Sequence, residues 1–516
     1  MQLQQTIRGK HHAAHHASRS ASGSRGQLLV LFAIILYTPL PLASDRPWAL
    51  ALLAMMAGGL LLWNVWRPSG RTMLQAWQCA KVPIVLLAVW MLLLVVQLMP
   101  LPALWIGALD QRLLNGFVES DVGNVPISLD LYSTRLYLAK ACVFSAIFWM
   151  VITLVNSRHR LEWLAKAIVL SGLLQAIAGI ILMATGTTFE MFFVSMANVR
   201  GHGTFVSPNN FAGYLELTLA IGVGLMIAKL DGRQSENWRQ RLHGWLALLF
   251  SEKILLRVAL IIMVVGLVAS RSRMGNAAFF ASLLLTGVFT VIFSKHAART
   301  TVIFIASLIV LDVVIIGGVV GVEKVVQRIE NTNVQESTKV KHVDVVHPVM
   351  IEEKVLQELS PEESVEERTL TARSSLGIVR DFPWLGVGGG TFHLILPHYK
   401  PMNLLPGFWD HAHNDYVEIS SEVGLVGFLL MMMLVLSSLW RSLKLLRGSS
   451  DQLRLGMAFA SLMGVVSLLI HAAVDFNFQN PANSLLFLIL LSFPYLLSKT
   501  SGKSENSDLP VCKFGV

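Results

Sequence analysis

Charge is what this sequence has least of. Only 14% of its 516 residues are Asp, Glu, Lys or Arg, against roughly 25% in an ordinary soluble domain. So little charge on a long chain excludes a soluble enzyme and a disordered protein alike. Cysteine is nearly absent as well, with Cys79, Cys142 and Cys512 and no CxxC or Cys/His spacing. That excludes a secreted disulfide scaffold and gives no reason to expect a zinc site. No internal repeat of the kind that marks many transporters is visible.

What the chain has instead is hydrophobic residues, 54% of the total, gathered into runs that match the roughly 20 helical residues needed to cross about 30 Å of hydrocarbon. The expected fold is an all-α integral membrane protein of about twelve transmembrane helices. The expected spans are 28–43, 48–66, 82–99, 136–155, 167–184, 211–230, 254–269, 276–293, 301–319, 423–440, 455–474 and 483–497. The first 25 residues are polar and basic like the start of a signal peptide. The run 28–43 has no clear cleavage site and many more runs follow, so it reads as an uncleaved first helix. His11, His12, His15 and His16 in that tail have no other ligands nearby and read as a solvated basic tail.

The net charge of +9 raises the question of nucleic acid, but the basic residues sit mainly in short loops, so no nucleic-acid partner is expected. With the N-terminus inside, the inner loops and their flanks carry eighteen Lys and Arg, Arg71, Arg158, Lys166 and Arg454 among them. The short outer loops carry Arg46, Arg112, Arg135, Arg200, Arg271 and Arg273, and no lysine. The positive-inside rule therefore places both termini in the cytoplasm. The expected organisation is a basic tail over 1–26, nine spans within 27–320, an outer loop domain over 321–422, three spans within 423–498, and a second tail over 499–516.

The outer arginines work against the bias that orients the chain. Arg200 lies in VRGHGTFVSPNNF, and Arg271 and Arg273 lie in SRSRMG. A guanidinium is always charged and offers a planar fork of donors suited to phosphate oxygens, so arginines gathered at one face point to an anionic headgroup or pyrophosphate. For a single arginine, snorkelling to lipid headgroups explains its place equally well.

The segment WDHAHNDYVEISSEVGLVG holds His411, His413, Asn414, Asp415, Glu418 and Glu422. As one helix, it would place His411, Asp415, Glu418 and Glu422 on a single face. A histidine beside carboxylates suits proton transfer near neutral pH. The same residues at an interfacial helix start could simply complement its dipole, and their spacing matches no specific metal motif. The glycine run GVGGG lacks the Walker ending, so its backbone freedom reads as a device for close approach to a substrate or a helix. Asp312, His471 and Asp475 are costly in lipid and should face protein or water.

Taken in order, VRGHGTFVSPNNFAGYLEL, SRSRMG, RTLTARSSLGIVRDFPWLGVGGGTF, HAHNDYVEISSEVGLVG and HAAVDFNFQNPAN resemble the O-antigen ligase and polymerase family. The resemblance implies a metal- and cofactor-independent glycosyltransferase of the bacterial inner membrane, with its active face in the periplasm. Its donor would be a polyprenyl-pyrophosphate-linked glycan and its acceptor a lipid core or another glycan, both met at the surface of membrane lipid. Carried over residue by residue, Arg200 and one of Arg271 and Arg273 match the pyrophosphate arginines, Arg368 matches the loop arginine, and His413 matches the histidine eleven positions before a glycine, here Gly424. His411, Asn414 and Glu418 are the accompanying substrate-side residues. The doubled SRSR leaves open which arginine matches. Ligase and polymerase share this chemistry, and a small-anion transporter is the alternative of a different class.

Overall fold

The computed structural model describes residues 25–102, 124–185, 188–191, 194–197, 200–230, 252–293, 303, 306–307, 365–400 and 410–497. In chain order its helices are α1 (Arg25–Tyr37), α2 (Pro47–Trp66), α3 (Met73–Leu98), α4 (Leu131–Leu154), α5 (Arg158–Thr185) and α6 (Pro208–Ala228). They continue with α7 (Glu252–Ala269), α8 (Arg273–Phe293), α9 (Val365–Asp381), α10 (Phe392–Ile395), α11 (Asp415–Gly448), α12 (Gln452–Ala472) and α13 (Pro481–Leu496). Two small antiparallel ribbons, β1 (Leu101–Pro102) with β2 (Asn124–Val125) and β3 (Thr188–Met191) with β4 (Val194–Ala197), are the strands among the described residues.

The protein is an all-α membrane protein with eight candidate spans among the described residues, α2 to α6, α8, α11 and α12. Every expected segment other than 301–319, most of which lies outside the described residues, falls on a helix, and the described residues do not confirm the expected count of twelve spans. Helices α1 and α13 are short, and α7 carries Glu252, Lys253 and Arg257 in its first two turns. The segment 301–319, with Asp312, lies outside the described residues apart from 303, 306 and 307, as do residues 321–364 of the expected outer loop domain, residues 1–24 and the second tail.

Helix α6 forms the centre, its apolar window 94% buried, and α12 packs along it with 78% buried. Glycine permits this approach: a Cβ on Gly224 would sit 2.2 Å from the Gly456 carbonyl oxygen, and one on Gly456 would sit 2.1 Å from that of Gly224. Small residues are the usual means of bringing membrane helices backbone to backbone. Around this pair, α5, α6 and α7 pack on one another and α8 packs on α12, while α3 packs on α4 and α11, and α4 on α2 and α13. The bundle thus has two halves meeting at the α6–α12 axis.

Its two ends differ. At one, Arg71 is buried and donates from Nη1 to the Ile152 and Val155 carbonyls at 2.7 Å each, closing the C-terminus of α4. Arg158 pairs with Asp451, and Lys166 and Lys229 both pair with Glu252. Arg71, Arg158, Lys166 and Lys229, four of the cations expected in the inner loops, therefore lie at this end. The opposite end holds the starts of α4, α6 and α11 and the links between α7 and α8 and between α12 and α13.

Helix α11 starts at Asp415, well before the expected 423, because Asn414 caps it through its side chain to the Val417 N–H at 3.2 Å. Its first two turns carry Asp415, Glu418 and Glu422, all buried against protein rather than lipid. Gly424 then breaks the helix at φ +67°. The freed backbone groups are met by the glycine-rich loop: Val387 N–H donates to Ser421, Gly388 N–H to Glu422, and Leu425 N–H to Pro383, at 3.0, 3.0 and 2.7 Å. A Cβ on Gly386 would lie 2.5 Å from the Glu422 backbone, so the glycine run serves close approach to a neighbouring helix. Gln97, near the end of α3, ties the arrangement together by donating to the Leu385 and Glu422 carbonyls and accepting from the Gly389 N–H. Outside the bundle, Ile378, Phe382, Val387, Phe392 and Ile395 pack with Val125 and Ile127 into a separate small core.

Of the cysteines, Cys142 is free and exposed.

Candidate active site at one end of the bundle

The link between α12 and α13 is the hub of this end. Asp475 and Asn477 are buried and Phe476 is partly so. Asn480 caps α13 by accepting from the Ala482 and Asn483 N–H groups. Three other elements converge on the hub. Asn414 donates to the Ala473 carbonyl at 2.8 Å, the Phe478 N–H donates to the Asp415 carboxylate at 3.0 Å, and Arg368 on α9 approaches Asp475 at 3.5 Å. The Phe476 ring lies between two histidines, stacked on His411 at 4.3 Å and meeting His413 edge-on at 5.1 Å.

His411 and His413 precede α11 rather than lying on it, so the single helical face expected for His411, Asp415, Glu418 and Glu422 holds only for the three carboxylates. The cause is the Asn414 cap, which fixes the helix start after both histidines. His411 still reaches Glu418, its Nδ1–H donating to the carboxylate at 2.8 Å while the Ala412 N–H donates to the other oxygen at 2.8 Å. Burial alone would lower the His411 pKa. The Glu418 charge and hydrogen bond outweigh it, with Asp410 and Asp45 adding to them, and the net shift is upward. His413 sits at φ +50° and is 6% exposed. A non-glycine residue in the left-handed region is uncommon, and this one turns the chain so that both imidazoles face the same phenyl ring.

Beneath the hub runs a line of buried polar groups. Glu216 on α6 accepts from His471 Nδ1–H and from the Ser467 hydroxyl, each at 2.7 Å, and all three residues are fully buried. His471 Nε2 lies 3.9 Å from Asp475, which in turn faces Arg368. The line Glu216, His471, Asp475, Arg368 thus joins the bundle axis to helix α9. Glu216 was not singled out from the sequence, although it stands in an apolar run as His471 and Asp475 do.

Arg200, Arg271 and Arg273 form a second group. The Arg200 Nε–H donates to the Ser270 carbonyl at 2.9 Å, its Nη2 donates to Asn209 at 3.2 Å, and the Gly201 N–H donates to Ala269 at 2.9 Å. Arg200 is therefore held against the α7–α8 turn, where Arg271, at φ +53°, and Arg273 are both exposed. The residues of the α6 start also touch the hub, since Asn483 donates to the Asn210 carbonyl and to Asn477. Among the described residues, no group of three or more His, Cys, Asp and Glu converges as a metal site.

Fold and site together define a multi-pass α-helical membrane protein whose buried carboxylates, histidines and clustered arginines meet at one end of the bundle. Residues 258–432, about a third of the chain, match the Wzy_C family model, described as O-antigen ligase. Over that stretch the chain is similar to the O-antigen ligase family. The matched stretch contains Arg271, Arg273, Arg368, His411, His413, Asn414 and Glu418, while Arg200 precedes it. No curated protein matches the chain.

Proposed function

We propose that the protein transfers a glycan from a polyprenyl-pyrophosphate donor to an acceptor hydroxyl on the periplasmic face of the bacterial inner membrane, as an O-antigen ligase does. The observation that carries this reading is the seating of Arg200 on the turn of Arg271 and Arg273, in a chain with a Wzy_C domain. Three guanidiniums at one membrane boundary suit a diphosphate. The contrast between inner and outer loop charges supports the orientation.

In the reaction, the bond between the anomeric carbon and the pyrophosphate oxygen breaks and its electron pair leaves with the pyrophosphate. Arg200 and one of Arg271 and Arg273 stabilise that developing charge. The acceptor oxygen bonds to the anomeric carbon from the opposite side, inverting it, and its proton passes to His413. His411, fixed by Glu418, together with Asn414 lines the acceptor side, and Arg368, set by Asp475, faces the glycan. No metal or cofactor takes part in this scheme. A polymerase uses the same steps on a lipid-linked acceptor.

The test is transfer by purified protein from a polyprenyl-pyrophosphate glycan. His413→Ala should lower the rate by about 10²–10⁴-fold while the protein remains inserted and monodisperse. Near-normal transfer by this variant withdraws the base. Deletion then separates the two enzymes, because a ligase leaves long lipid-linked chains and a polymerase leaves single repeats.

A further inference from the structure

A cavity of about 140 Å³ lies between α3, α4, α11 and α13, in the half of the bundle away from the arginine turn. Its lining starts beside the hub, at Tyr416 and Phe478, and continues along α13 to Leu491. From the start of α13 that is about 15 Å at 1.5 Å per residue. Almost everything lining it is apolar, and no carboxylate is among the lining residues.

The polar groups in this wall are mismatched in one direction. Lys140 on α4 lines the cavity and makes no hydrogen bond or ion pair with any described residue. Trp90, only 6% exposed, has a buried indole N–H without an acceptor, and the side-chain amide N–H of Gln479 is in the same condition. Lys140 therefore brings a cation to a mostly apolar cavity whose lining holds no carboxylate, and two further lining residues, Trp90 and Gln479, carry buried N–H donors without acceptors. A lysine within a membrane span is costly unless an anion or a water path compensates it, and buried donors are normally paired. A hydrocarbon chain bearing an anionic oxygen near its head supplies both the apolar body and the missing acceptor.

We propose that this cavity holds one hydrocarbon chain of the acceptor lipid, with an anionic oxygen of that lipid on Lys140. The inference rests on the reading of the protein as a transferase between two lipid-borne substrates. The placement favours the acceptor over the donor. The arginine turn belongs to α6, α7 and α8, the cavity belongs to the other half, and the histidines at the hub stand where the two halves join.

The experiment uses the full chain in detergent micelles and photoreactive hexadecyl phosphate as probe. Labelling should map to α4, α11 and α13, fall about tenfold in Lys140→Met, as expected for loss of one charged hydrogen bond, and persist in Lys140→Arg. Met432→Trp, which fills the cavity from α11, should block labelling without removing the cation. Excess geranylgeranyl pyrophosphate should leave the labelling unchanged. Labelling indifferent to both Lys140→Met and Met432→Trp overturns the proposal, and so does displacement by the prenyl pyrophosphate, which would assign the cavity to the donor. Failure of glycan transfer by the unaltered protein is a separate result, because it removes the transferase reading whatever the labelling shows.

Discussion

The buried line beneath the hub makes a sharp prediction about stability. In Glu216→Leu the His471 imidazole and the Ser467 hydroxyl both lose an acceptor 2.7 Å away, in a place where neither is exposed to solvent. A buried group left unsatisfied costs about 1–3 kcal/mol, and stripping one partner from a buried charged pair costs about 3–5 kcal/mol. Glu216→Leu should therefore destabilise the bundle by roughly 3–5 kcal/mol. His471→Leu should also be costly, since it leaves the carboxylate with only the Ser467 hydroxyl. The double variant Glu216→Leu/His471→Leu removes both halves of the pair together. It should be less destabilised than the sum of the single variants by about 1–3 kcal/mol. The assay is reversible unfolding in mixed micelles followed by tryptophan fluorescence, with all three variants and the parent under one set of conditions. Strict additivity would show that Glu216 and His471 do not act on each other.

The arginine clamp is tested by conservative exchange. Arg200→Lys, and one of Arg271→Lys and Arg273→Lys, should lower transfer by roughly ten- to over a hundredfold, because lysine keeps the charge and loses the planar fork; full activity in all three would leave charge alone as the requirement. Gly424→Ala should detach the glycine-rich loop, since its Cβ would sit 2.2 Å from the Trp384 carbonyl oxygen at φ +67°. Gly58→Ala, in a helix with nothing within 4 Å of the added carbon, should instead stabilise by about 0.5–1 kcal/mol. Limited proteolysis near 383–388 distinguishes the two, and equal protection in both would refute the loop contact. For His411 the folded pKa is raised, so its pairing with Glu418 contributes fully below the unfolded histidine pKa of about 6.5. The contribution is lost as pH rises through the higher folded value. Imidazole NMR should show the His411 titration moving downward in Glu418→Gln, and an unchanged midpoint would remove Glu418 as the cause.

Much of the bundle could be read from the apolar runs, because a span must be long and apolar whatever it packs against. The start of α11 could not. Asp415, Glu418 and Glu422 make its first turns resemble a polar loop, and only the packing of 383–388 against 421–426 shows why a helix with buried carboxylates forms there. The histidine pair was legible as chemistry but not as geometry, since the Asn414 cap that excludes His411 from the helix also permits alternatives in sequence. Arg200 and the SRSR turn could be assigned to one end of the molecule. Their contact through Ser270 depends on how α6 and α7 pack. Glu216 was legible by the same cost argument that drew attention to His471, and it was passed over. Lys140 lies inside a span that reads as ordinary until Trp90 and Gln479 are placed beside it.

Gln97 accepts a hydrogen bond from the Gly389 N–H, 292 positions away, and Glu216 meets His471 across 255. Such separations have a consequence for biogenesis, because the membrane receives the chain from its N-terminus onward. When α6 is already inserted, its carboxylate has no histidine to meet, and Gln97 has no loop to hold until α11 arrives. The hub itself follows α12. A nascent chain therefore carries its arginines into the bilayer long before it carries the residues that would act beside them, and the site comes into being only as the last helices are laid against α6.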